Sequence, residues 1–222
     1  VRQEKRSETW RRWAKIGGLA FTLFVVPMLV ILPFGGTLIE WTRTLADAAP
    51  AEAFATIVGL LALDAFAALP HGLIGALAGS ALDWWLAALA TWLGIMAASL
   101  IAYCIGRYAG RPLARRLLGE KDMQLAEARA AGISALLLFA TRPVPVVGEV
   151  ILIAAGIACY PMARFLTSIG MANALLALAY TGLGGAIGED RPEDLLLIAT
   201  IGIPALGIAG FALVTTLRRN KA

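Results

Sequence analysis

Histidine is nearly missing from this sequence: His71 is the single one among 222 residues. That scarcity excludes chemistries that need several imidazoles. There is no His-Glu-x-x-His zinc helix, no Gly-x-Ser-x-Gly nucleophile turn and no paired Cys/His ligand spacing. Neither a metalloprotease nor a serine hydrolase can be assembled from these parts, so the sequence predicts no enzyme, no metal site and no cofactor. Cysteine is almost as rare. Cys104 and Cys159 both fall in apolar segments, which argues against a stabilising disulfide. Charge is scarce too, at 15% of residues against 59% hydrophobic, with a mean hydropathy of +0.78. Long runs without charge leave no room for a separate soluble domain.

What is abundant is apolar chain. Four uncharged runs exceed 20 residues, and about 20 suffice to cross a hydrocarbon core. Residues 1–15 form a basic segment with Trp10 and Trp13, expected at the cytoplasmic surface. A first span follows over 16–39, too long and wrongly flanked for a cleaved signal peptide. The connection 40–52 is acidic. Residues 53–82 are apolar apart from Asp64 and are interrupted at Pro70-His71-Gly72. The Trp84-Trp85 pair marks an interface, and a clean span runs from there to Gly106. Residues 107–129 carry six Lys/Arg and three acids, with Leu113, Leu117, Met123 and Leu125 spaced for short amphipathic helices broken at Gly119. Residues 130–160 are apolar apart from Arg142 and Glu149, and are broken by Pro143 and Pro145. A span to Gly188, an acidic loop at 189–194, a last span over 195–217 and a basic tail complete the chain.

Six crossings would put the basic stretch 107–129 outside. Positive charge belongs on the cytoplasmic side, so the expected fold is an all-α integral membrane protein with four membrane-spanning helices. Residues 53–82 and 130–160 then become re-entrant hairpins, each turning at its proline. Both termini are cytoplasmic in this arrangement. The net charge of +4 sits in short blocks between apolar runs, which reads as topology and contact with anionic lipid rather than nucleic acid.

The chain also repeats itself. Gly79, Gly94, Gly106 and Gly110 recur as Gly156, Gly170, Gly182 and Gly188, at offsets of 76 to 78. Each half is a proline-broken hairpin ending in Ala-Gly, followed by a glycine-containing span. The first hairpin is expected to enter from outside and the second from inside, an inverted repeat over 53–188 with halves 53–106 and 130–188 joined by the linker 107–129. In transporters built this way the site lies where the broken elements meet.

The segment Arg142-Pro143-Val144-Pro145, running on to Ala155-Gly156, resembles the signature of the DedA family, within the superfamily of SNARE-associated Golgi (VTT-domain) proteins. Pro70 followed by Ala78-Gly79, and Gly106-Arg107-x-x-Gly110, are similar to the first-half motifs of that family. The resemblance covers residues 53 to 188. It implies two re-entrant hairpins and translocation or scrambling of lipid, in bacteria including undecaprenyl phosphate or phospholipid at the inner membrane, often tied to the proton motive force. Two positions depart from it. Many members carry a second arginine where this chain has Gly148, and a glutamate where it has Gly72.

Several residues are candidates for the work. Arg142 can hold a phosphate, because the guanidinium fork matches phosphate oxygens and stays charged when desolvated; alternatively it is a structural partner of Glu149 or Asp64. Asp64 and Glu149 can exchange protons or be permanently paired, and His71 can relay protons or simply cap a turn. Pro70 and Pro145 break the helices, and Gly79 and Gly156 are grouped with the transport residues, although glycines in membranes mainly allow close helix contact. Arg107, Arg111, Arg115 and Arg116 can gather anionic headgroups or serve topology alone. The expected function is movement of an anionic lipid, with membrane lipids as partners. The alternatives are a proton-coupled carrier of small solutes and a non-transporting assembly protein.

Overall fold

Proline and glycine set where the helices begin and end. The structure, a computed structural model, describes residues 44, 47–67, 69–120, 123–124, 127–128, 138–139, 141–143, 147–187, 198–202 and 205–206. The basic segment 1–15, the first span 16–39, Pro145, the acidic loop 189–194 and the basic tail lie outside these residues, as does most of the last span. Every regular element among them is helical.

Helix α1, Pro50–Ala67, starts on a proline, where the missing N–H is no loss, and carries Glu52 in its first turn, where the helix dipole favours an acid. It ends before Pro70, which opens α2, His71–Ala81. Pro70 cannot donate to the preceding turn, but its carbonyl accepts from Ile74 N–H at 3.1 Å, so a new helix begins there. Only Leu82 and Asp83 separate α2 from α3, Trp84–Cys104. A π-helical turn, Ile105–Gly110, carries α3 into α4, Arg111–Leu118. Gly119, at φ 81°, ends α4 in the left-handed region that glycine enters without steric cost. In the second half, Thr141 and a turn at Arg142 and Pro143 precede α5, Val147–Ile157, and α6 follows as Met162–Ile187. A short π-helical segment spans Ile198–Gly202.

The end of α5 is a Schellman stop. Tyr160 N–H donates to Ala155 O at 2.9 Å, Cys159 N–H to Gly156 O at 3.1 Å, and Cys159 takes the left-handed φ of 53°. Pro161 then prevents any continuation. Tyr160 turns inward to join Tyr103, Leu138, Leu152, Phe165 and Ile169 in one buried cluster.

Among the described residues two helices are long and apolar enough to cross a membrane: the rod Trp84–Leu117 and α6. They present Trp84, Trp85, Leu89, Leu93, Met171, Leu175 and Leu178 outward, the pattern of a lipid-facing surface.

The two halves pack on each other reciprocally. A Cβ added at Gly79 would lie 2.1 Å from the Thr181 carbonyl oxygen, and one at Gly156 would lie 2.1 Å from that of Tyr103. Gly184 meets the Ala76 carbonyl in the same way at 1.7 Å, and Gly106 meets that of Ile153 at 2.1 Å. Each pair maps onto its counterpart by the offset of 77 or 78 that relates the halves. So α2 lies on α6 as α5 lies on the end of α3. Trp92, which donates from Nε1 to Gly170 O at 3.0 Å, is 78 residues from its acceptor.

These approaches are backbone to backbone, so the obstacle is not a side-chain tip that can swing away. Gly156→Ala is expected to force α5 off α3 and to cost about 1–3 kcal/mol, as overpacking does. Gly170→Ala, whose added Cβ meets nothing within 4 Å, should be tolerated. Thermal unfolding of the two variants in detergent checks the difference.

Candidate functional site

Buried charges lie at the breaks that precede α2 and α5. Asp64, on the last turns of α1, is 7% exposed. Across the break at Pro70, His71 Nδ1 lies 3.1 Å from its Oδ2, and a protonated Nδ1 donates to that oxygen. In the second half Arg142 is 3% exposed. Its Nη1 donates to Glu149 Oε1 at 3.0 Å, across the break that precedes α5.

The two pairs are repeat counterparts. Both partners are seven residues apart in each pair, and Asp64 maps onto Arg142, and His71 onto Glu149, at an offset of 78. Their polarity is reversed. The first half places the acid before the break and the base after it; the second half does the opposite. The sequence reading left Arg142 to choose between Glu149 and Asp64, and the structure pairs it with Glu149, while Asp64 goes to His71.

Arg142 is also held from α6. Its Nε donates to Asn173 Oδ1 at 2.8 Å, and Asn173 is fully buried. The Asn173 amide nitrogen donates onward to Ser99 Oγ at 3.1 Å and Ile95 O at 3.3 Å on α3. Ile95 and Asn173 are 78 residues apart in the chain. One asparagine therefore ties the second hairpin to both long helices. Among the described residues Nη2 of Arg142 has no hydrogen-bond partner, which leaves one prong of the fork for a ligand.

Tyr180 links the two pairs. Its ring meets that of His71 edge-on, with centroids 6.0 Å apart, and it lies within electrostatic range of Arg142. Sequence reasoning missed Asn173 and Tyr180, since a single polar residue in an apolar helix gives no periodic signal. Mapping the repeat offset onto the charged residues would have revealed that Asp64 and Arg142 are counterparts.

The remaining candidates fall elsewhere. Gly79 and Gly156 are closed against backbone, and their place in the fold is helix contact. At Gly72, a Cβ would lie 2.7 Å from Tyr180 Cε1, so the Tyr180 ring takes the space a longer side chain would need. Gly148 adjoins Glu149, and a Cβ there would lie 3.4 Å from Arg142 Nη1. Pro145 lies outside the described residues. Arg107, Arg111, Arg115 and Arg116 cluster at the far end of α3, and no group of three or more His, Cys, Asp or Glu able to hold a metal occurs among the described residues.

The VTT domain matches residues 50–186. A relative, undecaprenyl phosphate transporter A of Bacillus subtilis (strain 168), is 28% identical over 132 residues, covering 56% of this chain and 67% of that protein. No solved structure matches. With the domain match spanning more than half its length, and two helices among the described residues long and apolar enough to cross a membrane, the chain is a membrane protein that belongs to the VTT-domain family, the DedA proteins among them.

Proposed function

We propose that this protein moves an anionic, phosphate-bearing lipid across the bacterial inner membrane, passing the headgroup between the two broken hairpins while the acyl chain stays in the bilayer. The carrying observation is Arg142: a buried guanidinium with one partner carboxylate, one partner amide and, among the described residues, one prong without a partner. A membrane-buried arginine points to transport work by default, and its fork suits phosphate oxygens. The relative named for undecaprenyl phosphate transport supports the same cargo class.

The ion pair suggests how coupling works. While Glu149 is ionised it occupies Nη1 of Arg142. A proton on Glu149 removes the competing negative charge and turns the pair into an anion site. The Glu149 side chain is 29% exposed against 3% for Arg142, so the acid is the member that protons can reach. The counterpart pair, Asp64 with His71, offers a second proton-binding station in the other half. Movement of a lipid anion inward with a proton leaves less charge to carry through the low dielectric.

The test is lipid flip in proteoliposomes, for undecaprenyl phosphate and for ordinary phospholipid, with and without a pH gradient. Faster flip than in protein-free vesicles for a phosphate lipid is expected. Flip no faster than background for every lipid, beside saturable uptake of a soluble solute, would favour the small-solute carrier instead.

The arrangement needs four crossings and two re-entrant hairpins, with the basic linker and both termini cytoplasmic. Single cysteines at Lys121 and Asp190, in a background lacking Cys104 and Cys159, should label from opposite sides with an impermeant thiol reagent. Labelling of position 121 from outside would restore six crossings.

A further inference from the structure

The rod that begins at Trp84 continues for 34 helical residues to Leu117. At about 1.5 Å per residue this is about 50 Å, well beyond the roughly 30 Å of a hydrocarbon core. The apolar part ends at Gly106, and the arginines follow at 107, 111, 115 and 116. They stand where the rod leaves the acyl region.

A cavity of about 320 Å³ opens there, lined by Arg107, Arg111, Pro112, Arg115 and Arg116. Among the described residues no acid lines it. Arg111 is paired with Glu127, and Arg115 with Glu120 at 3.1 Å. Arg107 donates only to the Tyr103 hydroxyl, at 3.1 Å. Among the described residues neither Arg107 nor Arg116 has a carboxylate partner. Two positive charges on this wall therefore lack a carboxylate partner among the described residues. Guanidinium groups gathered on a concave surface match the oxygens of a phosphate through paired N–H donors.

The surroundings favour a lipid over a free ion. Tyr108, Leu113 and Leu117 are exposed by 73%, 58% and 75%, and Leu113 and Leu117 are one helical turn apart. This apolar surface next to the cavity can hold the first carbons of an acyl chain while the arginines hold its headgroup.

We propose that this cavity is a second phosphate site, which captures the headgroup of an anionic lipid at the membrane surface and is separate from the Arg142 site. It rests on the lipid-transport reading only for what becomes of the captured lipid. Arg107 and Arg111 are tied into the fold through Tyr103, Cys159 and Glu127, whereas Arg115 and Arg116 are exposed and can be changed without unfolding the chain.

The purified full chain in detergent is titrated with a fluorescent short-chain phosphatidic acid, with phosphatidylcholine of the same chain length, and with inorganic phosphate or a polyglutamate peptide as competitor. Saturable binding of phosphatidic acid, weak binding of phosphatidylcholine and poor displacement by phosphate are expected. The double variant Arg115→Gln/Arg116→Gln should bind phosphatidic acid about thirtyfold more weakly, as expected for losing two basic side chains near a lipid surface. Gly170→Ala, outside both phosphate sites and with open space for its added Cβ, should bind it as the unaltered protein does. Unchanged affinity in the double variant overturns the site. Full displacement by inorganic phosphate makes it a free-phosphate site, and displacement by polyglutamate makes it a protein-docking surface; either overturns the lipid assignment. Binding is read without any movement of lipid, so the two readings fail separately. Flip with unchanged binding in the double variant defeats only the cavity, and lost binding in a protein that flips nothing defeats only transport.

Discussion

Arg142→Ala is expected to stop lipid movement and to lower stability by about 3–5 kcal/mol, the usual cost of removing one member of a buried ion pair. The cost comes from what is left behind. Glu149 loses its 3.0 Å partner and Asn173 loses the donor to its carbonyl oxygen at 2.8 Å. Glu149 is 29% exposed, so water can reach it and the loss should fall toward the lower end. Asn173 is fully buried and has no such recourse. Arg142→Lys separates the two roles. A lysine keeps the charge beside Glu149 but is a single point, so it cannot serve Glu149 and Asn173 and still offer a free prong. It should recover most of the stability and little of the transport. Thermal unfolding in detergent read beside flip rates in proteoliposomes checks both; unchanged values of both in Arg142→Ala would remove the second hairpin break from the centre of the mechanism.

Much of this arrangement could be read from the chain because the membrane penalises irregularity. Pro70 and Pro143 cannot hide in an apolar run, and glycines at constant offset show where two backbones must meet. Gly79 and Gly156 betray the repeat for that reason. Partners were harder to read. Which acid meets Arg142 depends on where two helices separated by a turn come to rest, and Asp64 and Glu149 look alike in one dimension. Asn173 and Tyr180 are invisible for another reason: each is one polar group on a helix whose apolar pattern is satisfied without it. The π-helical turn at Ile105–Gly110 has no compositional mark at all. It is set by the fit of Gly106 and Gly110 against α5, where Gly106 meets the Ile153 carbonyl and Gly110 the Ile157 side chain.

Glu149→Gln should leave lipid movement in place but remove its response to a pH gradient. The amide has nearly the shape of the protonated acid and never carries charge, so it holds the second hairpin permanently in the state that leaves Arg142 free for an anion. Asp64→Asn makes the same change at the counterpart position, with a different expected outcome. Asp64 is 7% exposed and faces His71 rather than an arginine, so its amide unloads no guanidinium. It removes the acid from a proton station and leaves His71 beside a neutral partner and the Tyr180 ring. Flip should therefore slow in Asp64→Asn under a gradient, whereas in Glu149→Gln it should persist at a rate the gradient no longer changes. Flip rates measured across a series of internal and external pH values distinguish the two. If both variants respond to the gradient as the unaltered protein does, the reversed ion pairs are structural clasps and protons are not coupled through them.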